Sequence, residues 1–467
     1  MTTNLHHTSD GDRVRGWKEI PHLAGAGLFL GHFSEYNRGM WDFLRRAHAE
    51  GGPIVRFRLA QNEMVLISGP EASEAFFRAP EDQLSNREAY KKSQTPVFGP
   101  GIIFDVPLET HMEQLQMMIG ALKPQALRRY GDQIAEETER AIADWGDAGE
   151  VDFMEFMGQL ALFASARTLL GRDFRDNTTE EFASLYHDLE AGVNPLSYFF
   201  PHLPLPVYRK RDAARLKLVE LIGSMAKARR EEGDAGDDML QSLMEARYAD
   251  GRALRDDEIV GLLLFLLFAG HHSTSVATTW TMIELLKNPG YLGRVRDEID
   301  HLEPRREESG YSDLLRDAED LQRGIQESLR LHPPLIMMMR KVMRPFRFAG
   351  YEVPVGKFVV QSPAVGHFLP EVWKDPDLFD PDRFGPDRQE DENPFAFTAF
   401  GGGKHRCLGM NFAYIQMKVM LTTLFKHYDF ELGNDRYERV RDSLIIAPEL
   451  PCRVRYRRRS AAKQGGA

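Results

Sequence analysis

Residues 397–409 read Phe-Thr-Ala-Phe-Gly-Gly-Gly-Lys-His-Arg-Cys-Leu-Gly, with Cys407 as the one sulfur. Three consecutive glycines, Gly401 to Gly403, are too costly for a helix interior. They predict a loop whose backbone bends tightly or approaches something flat and large. The next residues, Met410 to Leu421, carry apolar side chains at helical spacing without a breaker. A cysteine on a Gly-rich turn just ahead of a helix sits where amide N–H groups and the helix dipole favour a thiolate. Such a thiolate is a nucleophile or a metal ligand.

Working outward, the second informative stretch is Ile259 to Gly270, apolar on every face. Asp256 and Asp257 are read as its cap, and Pro289 stops the helix after about Lys287. A helix apolar all round belongs in the middle of a protein. Its character then breaks at Ala269-Gly-His-His-Ser-Thr-Ser275. A mid-helix glycine and a run of hydroxyls weaken the backbone ladder, so their place in the most buried helix implies a widening beside a ligand. His271 and His272 are adjacent and point about 100° apart, which argues against a zinc pair on one face.

A third stretch is Glu327-Ser-Leu-Arg330-Leu-His-Pro-Pro, followed downstream by Phe379-Asp-Pro-Asp-Arg383-Phe. Glu327 and Arg330 share a helix face and can pair. Strands are expected over 54–60 and 63–68 as a hairpin, and again at 347–356. Single helices are expected over 35–50, 180–189 and 209–230, and successive helices from 112 to about 170. The breaker- and aromatic-rich segment Tyr90 to Asp105 reads as a loop that wraps a ligand.

The composition, 42% hydrophobic and 28% charged, is that of a soluble globular protein. The formal net charge of −11 argues against a general nucleic-acid binder. Two cysteines, Cys407 and Cys452, leave no disulfide framework and fit a reducing, cytoplasmic setting. No signal peptide or transmembrane anchor is expected, because the longest apolar run falls short of the ~20 residues of a membrane span. The arginines of 453–459 read as a last strand and a solvated tail.

Phe400-x-x-Gly403-x-His405-x-Cys407-x-Gly409 resembles the haem-binding loop of the cytochrome P-450 superfamily at every fixed position, and Glu327-x-x-Arg330 is its second signature. The resemblance implies a mainly α fold with small β-sheets, with haem b between the long central helix and the Cys loop. It implies one domain over 1–467, β-rich near 54–68 and 340–365, with its helical bulk at 110–335 and 408–425. Cys407 is then the axial thiolate on iron, with Phe400 beside it, and Glu327, Arg330 and Arg383 form a buried lock beneath the loop.

Ala269-Gly-His-His, Thr95-Pro-Val-Phe-Gly99 and Pro334-Leu-Ile-Met-Met-Met-Arg340 are similar to segments of the sterol 14α-demethylases. That likeness implies three-step oxidative loss of a 14α-methyl group from a sterol-like substrate. A proton relay would run through His272, Ser273 and Thr274. Phe98, Phe268, Ala269, Leu335, Met337, Leu444 and Ile445 would line the pocket with His272, and Tyr90, Arg340 and His405 would hold haem propionates. Three places depart from the pattern: Ser273 for threonine, Ser93 for an apolar residue, and Leu115-Gln116 where a propionate-binding lysine is expected. Other implied activities are hydroxylation of another steroid, terpenoid or lipid, a haem-thiolate isomerase or peroxygenase, or non-catalytic haem binding. With no flavin or iron–sulfur module, electrons would come from a ferredoxin with its reductase or another separate donor, docking near Lys404 and Arg406.

Overall fold

A computed structural model describes residues 18–459, apart from 123, 178, 199, 234–237, 310, 312–315, 442 and 444. The described chain is mainly helical, with three small sheets. Strands β1 (Ile54–Leu59) and β2 (Asn62–Ile67) form the expected hairpin. They join β8 (Phe358–Gln361), β5 (Met338–Val342) and β3 (Leu84–Ser85) in one sheet of order β1-β2-β8-β5-β3. The two β-rich stretches of the sequence are therefore halves of a single sheet, joined by the parallel β2–β8 pair. Strands β6 (Phe346–Phe348) and β7 (Tyr351–Val353) pair as a separate ribbon.

The central helix runs from Asp256 to Lys287. Asp256 and Asp257 lie inside its first turn rather than capping it; instead, the Glu258 carboxylate accepts the Arg255 N–H at 2.7 Å. Anionic groups at that end still complement the helix dipole. Ile259 to Leu267 pack with Phe98, Ile102, Met118 and Leu162 in one apolar cluster, and Val276 to Leu285 with Phe153, Phe412 and Leu421 in another. The helix is long and apolar enough to cross a membrane by composition, and most of its apolar stretch is buried among these neighbours.

Three local expectations are corrected. The helix expected over 35–50 is two, Phe33–Arg38 and Met40–Gly51, separated at Gly39. The segment read as a ligand-wrapping loop is instead the helix Asn86–Phe98, with a 3-10 turn at Ile103–Asp105. Its signal was Ser85, whose hydroxyl accepts the Glu88 N–H at 3.0 Å and nucleates the first turn. Between helices Pro124–Ile142 and Phe153–Leu170 lies β4 (Ala148–Asp152), paired with β10 (Arg453–Arg458), whose other edge holds β9 (Tyr428–Leu432). No local pattern announces β4, because its partner lies about 300 residues away, Glu150 facing Arg455. The arginine-rich strand at the C-terminal end is as expected.

Glu327 and Arg330, on the helix Glu319–Leu331, and Arg383 are all fully buried. Arg330 Nε and Nη2 donate to the two Glu327 carboxylate oxygens at 2.7 and 2.9 Å. Arg383 Nε and the Asp380 N–H add bonds of 3.0 and 2.9 Å to Oε1. Arg330 Nη1 also donates to His367 O at 2.7 Å. The ring of His367 bonds Arg330 O through Nδ1 at 3.1 Å and accepts the Thr398 N–H through Nε2 at 2.9 Å. A continuous set of hydrogen bonds thus runs from the buried charges to the start of the cysteine loop.

Removing one partner strands the others, so Glu327→Gln should cost about 3–5 kcal/mol in urea unfolding; a loss under about 1 kcal/mol would mean that the cluster is redundant. Burial, with the Arg330 charge, holds His367 down at about 3, and burial, with the Arg439 charge opposed by Glu284, holds His332 down at about 4. Both rings are neutral in the fold, while the unfolded chain takes up protons near 6.5. Stability is therefore complete above that value and falls as pH drops below it. Each ring removes about 1.4 kcal/mol per pH unit, so the urea midpoint should fall between neutrality and about pH 5. At Gly261 an added Cβ would lie 2.7 Å from Phe98 O and 2.8 Å from Ile102 Cδ1, so Gly261→Val should destabilise by about 1–3 kcal/mol through overpacking.

Candidate active site

Cys407 lies just ahead of the helix Met410–His427, and its own amide donates to Phe400 O at 2.8 Å, folding the loop back on itself. Gly401 and Gly403 take φ of +70° and +54°, and a Cβ on Gly401 would meet His405 O at 2.6 Å. A Cβ on Gly402 would lie 2.9 Å from the Phe77 ring. The glycines therefore serve a tight reversal against Phe77. Phe400 packs on Tyr414 with ring centroids 5.0 Å apart. Burial pushes the Cys407 thiol up, and hydrogen bonds from the Gly409 and Met410 amides pull it back. Its side chain is nevertheless exposed, with a free thiol.

The middle of the central helix shows the same mixture. Leu262, Leu263, Leu264, Leu267, His271 and Thr274 are buried, whereas Phe265, Phe268, Ala269, His272 and Ser273 are open in part or wholly. These open positions recur at i, i+3, i+4, i+7 and i+8, one face of a helix. With half-open Leu266 and Gly270 beside it, this stripe is the side of the helix that the described residues leave uncovered. Leu335, also exposed, is bridged to Ile445 across the chain. Phe98 meets Phe265 and Phe268 edge to face, both at 5.4 Å. Met337 is half-buried, its sulfur 3.9 Å from the Tyr36 hydroxyl. Leu444 lies outside the described residues.

The three relay candidates separate. Ser273 is on the open stripe and its hydroxyl donates back to Ala269 O at 2.7 Å. Thr274 is buried, and its hydroxyl has no partner among the described residues. His272 is partly open, and its Nε2 lies 2.9 Å from Glu190 Oε2. Glu190 comes from the helix Thr179–Ala191, and its other oxygen lies 2.9 Å from His271 Nδ1. Burial alone would raise the Glu190 carboxyl, but the two imidazoles prevail and hold it at about 2. Sequence reasoning missed Glu190, since nothing local marks it.

Around His405 the structure gathers cations. Burial, helped by the charges of Arg340 and His111 and opposed by Glu81, holds its ring at about 4. Arg340 is buried, donating to Phe76 O at 2.6 Å and Ala79 O at 3.1 Å, with Glu81 at 3.4 Å. Its Nε has no hydrogen-bond partner among the described residues. The Tyr90 hydroxyl accepts the Met339 N–H at 3.0 Å and keeps its own proton to donate. Leu115 is half-buried against the apolar cluster and Gln116 is exposed, so the nearest basic group on that helix is His111, a residue the sequence reading passed over. Ser93 is buried with its hydroxyl bonded to Tyr90 O at 3.0 Å, which satisfies it within its own helix.

These features fit a flat macrocycle with acidic side arms. An open cysteine beneath offers a soft ligand, a coordinated cation deprotonates such a thiol outright, and a buried arginine with an orphaned Nε meets a carboxylate.

The sequence profile of the cytochrome P-450 family matches residues 21–454. The chain is 37% identical over 451 residues to the sterol 14alpha-demethylase of Mycolicibacterium vanbaalenii, covering 95% of this chain and 98% of that protein. It is 37% identical over 437 residues to the sterol 14-demethylase of Arabidopsis thaliana, covering 92% of this chain and 89% of that one. The solved structure of retinoic acid bound cyanobacterial CYP120A1 superposes with a TM-score of 0.85 at 26% identity, over 95% of this chain and 100% of that one. With the loop, the central helix and the buried charge cluster in place, the chain belongs to the cytochrome P-450 family and is a haem-thiolate monooxygenase.

Proposed function

We propose that this protein is a sterol 14α-demethylase, removing the 14α-methyl group as formate in three successive oxidations, each using dioxygen and two electrons. The observation that carries the reading is that a bacterial and a plant relative, both named for this reaction, align over 95% and 92% of the chain. Haem b bound through a cysteine thiolate supplies the reductive activation of dioxygen. We assign Cys407 to the iron, and Arg340, His405, Tyr90 and His111 to the propionates. The chain is taken as one domain in the cytoplasm, consistent with two free cysteines.

The open stripe then faces the substrate. Phe265, Phe268 and Ala269 give it apolar contact, with Phe98, Leu335, Met337 and Ile445 closing the pocket. Protons reach the site through Glu190, His272 and Ser273. Glu190 borders a cavity of about 580 Å³ that opens outward, and His272 spans from Glu190 to the stripe. Ser273 holds its proton on Ala269 O until it turns toward the substrate side. Thr274, buried off that face, packs against the core. A separate redox protein supplies electrons, and exposed Lys404 and Arg406 on the cysteine loop suit an acidic partner such as a ferredoxin.

The first test is a spectral titration of the ferric protein with lanosterol. A low-to-high-spin change saturating at micromolar sterol is expected. No change with lanosterol, but one with retinoic acid, would favour oxidation of an isoprenoid acid, as the bound ligand of the cyanobacterial structure suggests. Ser273→Ala should keep sterol binding and lower product per electron pair by about 10-fold or more, the range of general acid–base catalysis. Unchanged coupling would remove Ser273 from the relay.

A further inference from the structure

The pairing of Glu190 with two histidines has a second chemical meaning. Among the described residues, Glu190, His271 and His272 bring one carboxylate oxygen and two ring nitrogens within 4.8 Å of one another. Taken alone on their helix the two histidines diverge; the carboxylate from the neighbouring helix closes the gap between them. Bonds of 2.0–2.1 Å to a tetrahedral ion set ligand atoms roughly 3.3 Å apart. Here Glu190 Oε1 lies 2.9 Å from His271 Nδ1 and Oε2 lies 2.9 Å from His272 Nε2, one oxygen to each ring, so the carboxylate sits between the two nitrogens.

We propose that Glu190, His271 Nδ1 and His272 Nε2 form a binding site for a divalent cation of the zinc class, with water as the fourth ligand. Three further observations support it. His271 Nε2 lies 2.9 Å from Gly158 O, so the ring donates its remaining proton to a backbone carbonyl and keeps Nδ1 free to ligate. That is the outer partner that fixes the tautomer of metal-binding histidines. The Tyr186 hydroxyl, buried one turn from Glu190, faces and hydrogen-bonds the Glu190 carboxylate, orienting it as an outer partner would. It borders the same cavity and can bond a metal-held water. The cavity, about 580 Å³, gives an ion a way in past Asp152, Glu155 and His187, two of them carboxylates that draw cations.

The site is distinct from the cysteine loop and stands on geometry, independently of the sterol reading. An ion there would occupy the His272 nitrogen that the proton path uses, making zinc a reversible brake; that consequence alone rests on the relay assignment.

The test is direct binding. Chelator-treated holoprotein is dialysed against micromolar Zn²⁺, and zinc is counted against haem iron by atomic emission. One zinc per haem is expected. Glu190→Gln and His272→Gln should each weaken binding by more than about 10-fold, beyond the loss that follows removal of an outer partner. His187→Ala, on the cavity rim, should leave affinity unchanged. The reduced carbonyl spectrum checks that each variant keeps its haem-thiolate fold. No zinc retained by the parent protein would overturn the site. Equal retention by Glu190→Gln and His272→Gln would overturn it too, placing the metal elsewhere, such as His6-His7.

Discussion

The rest of the molecule depends on a carboxylate buried between two arginines. Taking such charges out of water is costly and is recovered only when every lone pair and N–H is used. Glu327 meets that condition, its Oε1 receiving Arg330, Arg383 and the Asp380 amide. The surplus positive charge is met by Glu390 on Arg383. Arg330 spends its remaining donors on the carbonyls of His367, Pro376 and Leu378. The cluster thus pins the long irregular segment between β8 and the cysteine loop, which has little regular hydrogen bonding of its own. Through His367 and Thr398 that order reaches the turn that presents Cys407.

The central helix meets a different constraint. Its ends belong to two apolar clusters, so it cannot shift without disturbing both. Within the first, Gly261 admits the Phe98–Ile102 chain at backbone distance, and between the two the stretch from Ala269 to Ser273 turns one face to open space. Rigid packing on both sides is what allows polar groups in the middle: the hydroxyls of Ser273, Thr278, Thr279 and Thr281 bond back to carbonyls four residues earlier. Glu190 then ties the helix Thr179–Ala191 to this point, so movement of that helix and the state of His272 are physically linked.

Electrostatics divide the site in two. Near Cys407, burial and neighbouring cations keep His405 neutral, and buried Arg340 keeps one N–H without a partner among the described residues. At the other end of the open stripe one buried carboxylate, Glu190, is held ionised between two imidazoles.

Much of this was legible in the sequence. Glycines with a cysteine at fixed spacing, a helix apolar on all sides, and Glu327 three residues from Arg330 are local patterns, and local patterns survive folding because they follow from backbone sterics and helical period. The hairpin of β1 and β2, and the end of the central helix before Pro289, were read for the same reason. The helix Asn86–Phe98 was misread because breakers outweighed a one-residue cap. What only the tertiary structure decided were meetings between distant residues: β4 with β10, Glu190 between His271 and His272, His111 and Arg340 around His405, and His367 beneath the loop. Each side chain is ordinary in its own segment. Periodicity encodes which face a residue occupies, but not which face of another element will be packed against it, and that pairing creates the charged and open sites on which function depends.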